Sequence, residues 1–437
     1  MTQNIKLSRF FLLASIATTF IKIPSYHEYL RIGDLFLFLS FIFIIIAIVK
    51  KQIDLKNNKD LIKIVLFWVG VNVLGSILSL FIYKKLPYEY IILNYARLFS
   101  CLIIFAEIIL IAQQDKSILK KSIFCLLGSI IVIPMAYIFQ KLGIQYLMFS
   151  PSRFSGLLID PNYFANFQII PTLLLLFYIM RDNIKIKYKV ILYIGFVFSI
   201  STILWSGSRS GILGLLVAIL FLLLFFIKFS SSLKVKIAVI ILLVISALPL
   251  GFYLIPKNKQ TPQKTEIRNI QITTSDSIVN KTQVIVIPKT KIEQKTRVET
   301  FSKISNMIAG NDRIMIWRDS IYFILRNPFG YGPGYDQIIN IRGDGGEHRV
   351  VHNFELEILL QGGILLFIFF NYFFIKLLIK IYKSSYFNNF NEIHALVAII
   401  IGILISALFL DSIPQKWIWV ILSLIIVYHR QFTSIKS

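Results

Sequence analysis

The stretch HRVVHNFELEILLQGG gathers six side chains with chemistry to offer: His348, Arg349, His352, Asn353, Glu355 and Glu357. A histidine titrates near neutrality and suits removal of a proton from a hydroxyl. If a helix begins near His352, a turn of 100° per residue brings Glu355 onto its face and carries Glu357 about 140° away. Glu355 is then the carboxylate that could orient His352, and Glu357 is not. The plainer alternative is a histidine that only hydrogen-bonds at an interface. A second set is cationic. Arg153 stands in SPSRFSGLLIDPNYFANFQ, Arg209 in WSGSRSGILG, and Arg313 and Arg318 in NDRIMIWRDSIYFILRNPFGYGPG. Guanidinium forks match phosphate oxygens bidentately, and a helix N-terminus adds aligned N–H groups and a positive dipole end. Ser206 and Ser208 are candidate caps, and Gly207 and Gly211 permit close approach. Arg209 and Ser208 therefore have the makings of a diphosphate clamp, the alternative being interfacial anchors or structural ion pairs. Asp160 can cap a helix whose first turn holds Pro161. Asp411 could join His352 or an arginine.

Other chemistries lack their residues. His348 and His352 stand four apart, but HRVVH has no glutamate in the HExxH position and Gly345-Gly346 interrupt the backbone before it. The polar loops hold no Asp-x-Asp pair for a divalent ion, and no P-loop is present. No metal or cofactor is expected. Glu107 lies inside an apolar run, where an acid is either functional or a hydrogen-bonded packing element.

The elements that must position these groups are membrane helices. The 437 residues are 56% hydrophobic and 16% charged, with a mean hydropathy of +0.73. Soluble domains are about a quarter charged. Apolar runs near 7–23, 32–50, 61–83, 90–112, 119–140, 161–181, 189–205, 210–228, 235–256, 353–382, 393–411 and 415–430 predict about twelve spans. The first lacks a small-residue cleavage site and reads as a retained span. The formal charge of +24 would suggest nucleic acid in a soluble protein. Here lysines and arginines cluster in alternate short loops, as topology determinants do. That bias places both termini in the cytoplasm and the polar segment 257–351 outside. Within it, 257–300 is weakly patterned. The helix opening at Asn311-Asp312 spaces Ile314, Trp317, Ile321 and Ile324 on one face and stops at Asn327-Pro328. The chain thus divides into a bundle over 1–256, an extracytoplasmic loop over 257–351 and a second bundle over 352–437. Cys101 and Cys125 both sit in apolar runs and offer no disulfide to an external loop.

Taken in order, these motifs resemble the O-antigen ligase/polymerase family of bacterial membrane proteins. Arg-x-x-Gly leads to Asp-Pro-Asn before a span. Ser-Arg-Ser-Gly joins two spans. A loop helix with Arg-x-x-x-Trp ends in Asn-Pro-x-Gly-x-Gly, and His-Asn opens the next span. The resemblance covers about 150–370. It implies an all-α, GT-C-like architecture and a metal-independent, inverting glycosyltransferase of the cytoplasmic (inner) membrane, its site facing the periplasm or exterior. The implied donor is an undecaprenyl-diphosphate-linked glycan, and the acceptor a glycan or lipid-linked carrier in O-antigen, capsule or exopolysaccharide assembly. Polymerase is placed first and ligation to lipid A-core or another carrier second. A transporter or lipid flippase is the reading from another class. A chain-length regulator and a flippase are the implied pathway partners. Carried over, Arg209 and Arg313 match the arginines assigned to the donor diphosphate, His352 the histidine proposed to activate the acceptor, and Arg153 a basic position of the first motif. Many members carry an acid where this chain has Gln361, which leaves Glu355 as the local carboxylate.

Overall fold

A backbone in lipid must satisfy its own N–H and C=O groups, and an apolar chain of this kind does so as helix. In the computed structural model, the described residues are 1–19, 21, 31–83, 88–131, 154–156, 158, 160–181, 183–229, 311–339, 341, 351–384, 391–410 and 415–433. They form thirteen α-helices and no strand. These are α1 (Gln3–Thr18), α2 (Ile32–Val49), α3 (Lys59–Tyr83), α4 (Tyr88–Gln114), α5 (Ile118–Gly128), α6 (Pro161–Met180) and α7 (Ile186–Ser206), followed by α8 (Arg209–Phe229), α9 (Asn311–Arg326), α10 (Tyr335–Ile338), α11 (Phe354–Tyr382), α12 (Glu392–Ala407) and α13 (Lys416–Thr433). Seven are long and apolar enough to cross a bilayer: α2, α3, α4, α6, α7, α8 and α11. The chain is a multi-pass integral membrane protein. Of the other expected spans, α12 is an apolar helix of 16 residues, and α1 also has 16. The run at 235–256, the far part of 119–140 and the segment 257–300 lie outside the described residues.

The interior is built from α6, α12 and α13. Along α13 every residue from Lys416 to Tyr428 is buried. It packs on α4 and α12, and α12 packs in turn on α6 and α8. Small residues let these backbones approach: a Cβ on Gly214 of α8 would lie 2.5 Å from the carbonyl oxygen of Gly402 in α12. The hydrophobic criterion passes over α13 because Lys416, His429 and Arg430 lie within it, yet those groups sit at its ends and its middle is wholly enclosed.

Several helix ends meet at one end of the bundle, here called the upper end. The Arg31 guanidinium before α2 donates to Gln415 before α13 at 3.1 Å. Trp417 of α13 donates to Asn166 of α6 at 2.9 Å. Gly211 of α8 lies against Ala165 of α6. The starts of α2, α6, α8 and α13 therefore share this end, with the last turns of α3.

Glu107 has a packing role. It is 1% exposed. Ser40 of α2 donates to its Oε2, and the Ser40 hydroxyl also pairs with Ser8 of α1 at 3.1 Å. The acid fastens α1, α2 and α4 together.

Candidate active site

The apolar run 353–382, expected as one span, is two helices. Gly363 interrupts α11 with φ 65° and ψ −164°. Residues 355 and 371 of an unbroken helix would stand about 24 Å apart at 1.5 Å per residue. Here Asn371 Nδ2 donates to Glu355 Oε2 at 3.4 Å, and the rings of Phe354 and Phe370 have centroids 5.3 Å apart. The chain thus reverses at Gly363. Residues 354–362 form a short helix that returns alongside the span 364–382, with its N-terminus level with Phe370 and Asn371.

A broken helix leaves carbonyl and amide groups without intrahelical partners. The NPFGYGPG loop supplies them. Tyr331 N donates to Leu360 O at 2.7 Å, Gly332 N donates to Gln361 O at 2.8 Å, and Ile364 N donates to Pro328 O at 2.8 Å. The loop is itself tied: Asn327 Nδ2 donates to Gly330 O at 2.6 Å, and Ser79 of α3 donates to Tyr331 O at 3.1 Å. A side chain would not fit at the junction. A Cβ on Gly363 would lie 2.1 Å from Pro328 O, and one on Gly330, at φ 84°, 2.5 Å from Gln361 O. Above it, α9 packs on the short helix through Ile316, Tyr331, Val351 and Leu360. The buried face of α9 includes Ile316 at 2% exposure, while Ile314 and Ile321 are 58% and 50% exposed. The expected face, centred on Ile314 and Ile321, is therefore turned outward. It forms an apolar stripe with Tyr322 and Leu325, fit to lie on a membrane interface.

His352 does not belong to the helix. Its φ is +49°, a left-handed value that costs an L-residue about 1 kcal/mol, and it is half-buried. Asn353 is the N-cap, its Oδ1 accepting from Leu356 N at 3.0 Å, so its acceptor serves the helix. The helical count that joined His352 to Glu355 fails for this reason. Glu355 instead pairs with Asn371, across the reversal. Glu357 is 3% exposed and accepts from Gln361 Nε2 at 3.1 Å. A carboxylate therefore does stand beside position 361, supplied from one turn earlier. Sequence reasoning passed over Asn371, although a lone amide in IFFNYFF was the available signal.

The cationic motif around α8 folds much as its residues suggest. Gly207 ends α7 in the left-handed region at φ 63°. The Ser206 hydroxyl accepts from Ser208 N at 3.1 Å, and that of Ser208 accepts from Gly211 N at 3.2 Å. Ser208 is 1% exposed and so serves as a cap, while Arg209 is exposed at the start of α8. Asp160 caps α6, accepting from Asn162 N at 2.6 Å and Tyr163 N at 3.2 Å. The Arg318 side chain is 71% exposed and lies 3.4 Å from Asp319. Arg313 falls in the first turn of α9. Its side chain, and the whole of Arg153 and Asp411, lie outside the described residues.

Residues 194–371 match a family model described as O-antigen ligase. The match takes in Arg209, Arg313, Arg318, His352, Asn353, Glu355 and the reversal at Gly363, and leaves out Arg153 and Asp411. No curated protein and no solved structure matches the chain.

Proposed function

The chain carries an O-antigen ligase domain, and on that premise we propose that it transfers an undecaprenyl-diphosphate-linked glycan to an acceptor at the outer face of the cytoplasmic membrane of a bacterium. The observation that supports this most is the left-handed, half-buried His352 at the head of a helix that turns back beside its own span. A polar group held in that way has a use beyond anchoring. In the proposed step the acceptor hydroxyl oxygen attacks the anomeric carbon. The bond from that carbon to the diphosphate oxygen breaks, and the diphosphate leaves with the electron pair. The hydroxyl proton passes to His352, and the anomeric centre inverts. Arg209 and Arg313 neutralise charge growing on the diphosphate, the role in which electrostatic stabilisation contributes most. Asp411 is the candidate to orient His352, because Glu355 is engaged by Asn371. No metal takes part in this scheme, and the helices as a whole follow a GT-C-like plan of about twelve spans.

Polymerase is the form we favour, with the acceptor a second lipid-linked glycan; a ligase would differ only in the acceptor. The test uses purified full-length protein and lipid-linked oligosaccharide as the sole substrate. Polymer formation supports the polymerase. Transfer only when a separate carrier is added shows a ligase, and no transfer to any acceptor overturns the transferase reading in favour of transport.

A further inference from the structure

We propose that Arg31, Arg97 and Lys416 form a second anion-binding site at the upper end, outside the family-matched segment, that takes a phosphate or diphosphate group. Three cations from three helices converge there. Arg31 precedes α2 and is half-buried. It donates to Thr19 O at 3.3 Å and to Gln415 Oε1 at 3.1 Å, and stands 5.4 Å over the Trp417 ring. Lys416 is 4% exposed and Gln415 3%. Arg97 of α4, half-buried, and Lys416 are both near enough to Arg31 for their charges to repel. Among the described residues the acid held in this cluster is Asp34, which pairs with Lys416. Buried like charges are costly unless an opposite charge compensates them, and a doubly charged anion would do so. Arg31 is also where α2 begins and Lys416 where α13 begins, so two positive dipole ends add to the field. Thr19, whose carbonyl Arg31 holds, is 1% exposed, and its hydroxyl has no partner.

The cluster lies close to the candidate active site. Trp419, one turn beyond Lys416, meets Trp68 edge to face at 4.9 Å. Trp68 meets Phe370 at 5.8 Å, and Phe370 packs on Phe354, two residues from His352. A short relay of rings thus joins the cations to the head of the re-entrant helix. The source of the anion is a lipid-linked diphosphate, as the transferase reading would have it, or free diphosphate released at the site; the shared chemistry is the diphosphate itself.

The experiment measures binding of undecaprenyl diphosphate, inorganic diphosphate and phosphatidylglycerol to detergent-purified full-length protein, wild type against Arg97→Gln. Arg31 is woven into helix packing, so Arg97 is the primary variant, with Lys416→Met as the second and a melting curve for each. Loss of one charge-assisted contact should weaken diphosphate binding about tenfold at unchanged phosphatidylglycerol binding. If lipid and inorganic diphosphate both weaken, the head group alone is recognised; if only the lipid form does, the carrier contributes. Diphosphate binding unchanged in both folded variants overturns the site, as does a loss confined to phosphatidylglycerol. The site can fail while wild-type transfer persists, so its failure is separable from that of the transferase reading.

Discussion

At the scale of single residues, His352 joins two properties that can be pulled apart. Its left-handed backbone is a cost to the fold, and its imidazole is the proposed base. Glycine adopts φ near +50° freely. His352→Gly is therefore expected to melt no lower than wild type, with up to about 1 kcal/mol of strain relieved, while glycan assembly in a complemented deletion strain is lost. His352→Ala should lose assembly as well and keep the strain. Assembly by His352→Gly at wild-type level would remove His352 from the chemistry. The arginines allow a similar separation. Arg209 is exposed and outside the packing, so Arg209→Lys should leave the melting temperature unchanged and still impair assembly, since an ammonium lacks the bidentate fork.

At the scale of elements, the reversal at Gly363 and the loop before it act as one device. Gly330 and Gly363 meet the same backbone atoms: a Cβ on Gly330 would stand 2.5 Å from Gly363 N. Gly363→Ala and Gly330→Ala should each destabilise by at least about 2 kcal/mol. The double variant should fall short of the sum, because both open the same contact. Additive losses in a melting series would separate the loop from the reversal. This device also marks the limit of what the sequence discloses. Caps were readable: Asp160 before Pro161, and Ser206 and Ser208 around Gly207, act locally and leave a local signature. The reversal was not, because its cause is distant. ILLQGGILLFIFF reads as continuous span, and only the amides of Tyr331 and Gly332 make ending a helix there inexpensive. Two hints were present, a run longer than the roughly 20 residues a bilayer needs and a Gly-Gly pair inside it. The outward face of α9 was hidden for a related reason. Its pattern offers two apolar sides, and packing on the short helix chose between them.

At the scale of the whole molecule, first and last helices are joined. Lys416 pairs with Asp34, and Arg430 and Gln113 both donate to Asn58 Oδ1, at 3.0 and 2.7 Å. Arg9 reaches across to Asp115. Burial pushes the Asp115 carboxyl up, but hydrogen bonds from Ser117 and Arg9 and the charge of Lys121 outweigh it and hold the group down at about 2. A carboxylate that ionises more readily folded than unfolded stabilises above its unfolded value, about 3.9, and that stabilisation is lost as pH falls toward 2. The melting temperature of Asp115→Asn should thus lie below wild type at neutral pH, with the gap closing between about pH 4 and pH 2. A gap independent of pH would assign the loss to packing. The same long-range ties explain why α13, the least span-like run by hydropathy, lies at the centre.

The order of synthesis gives the reversal at Gly363 a further consequence. Residues 354–382 leave the ribosome as one apolar stretch, and the insertion machinery meets them as a single segment. The short helix is too brief to cross a bilayer by itself. What stops it joining the span is the loop at 328–332, which has already been made and sent across. Insertion of this segment is therefore directional: the loop waits, the span arrives, and the first nine residues fold back onto it. A chain lacking that loop would be inserted with 354–382 as an unbroken rod, carrying His352 away from Trp68 and Phe370 to the far side of the head groups.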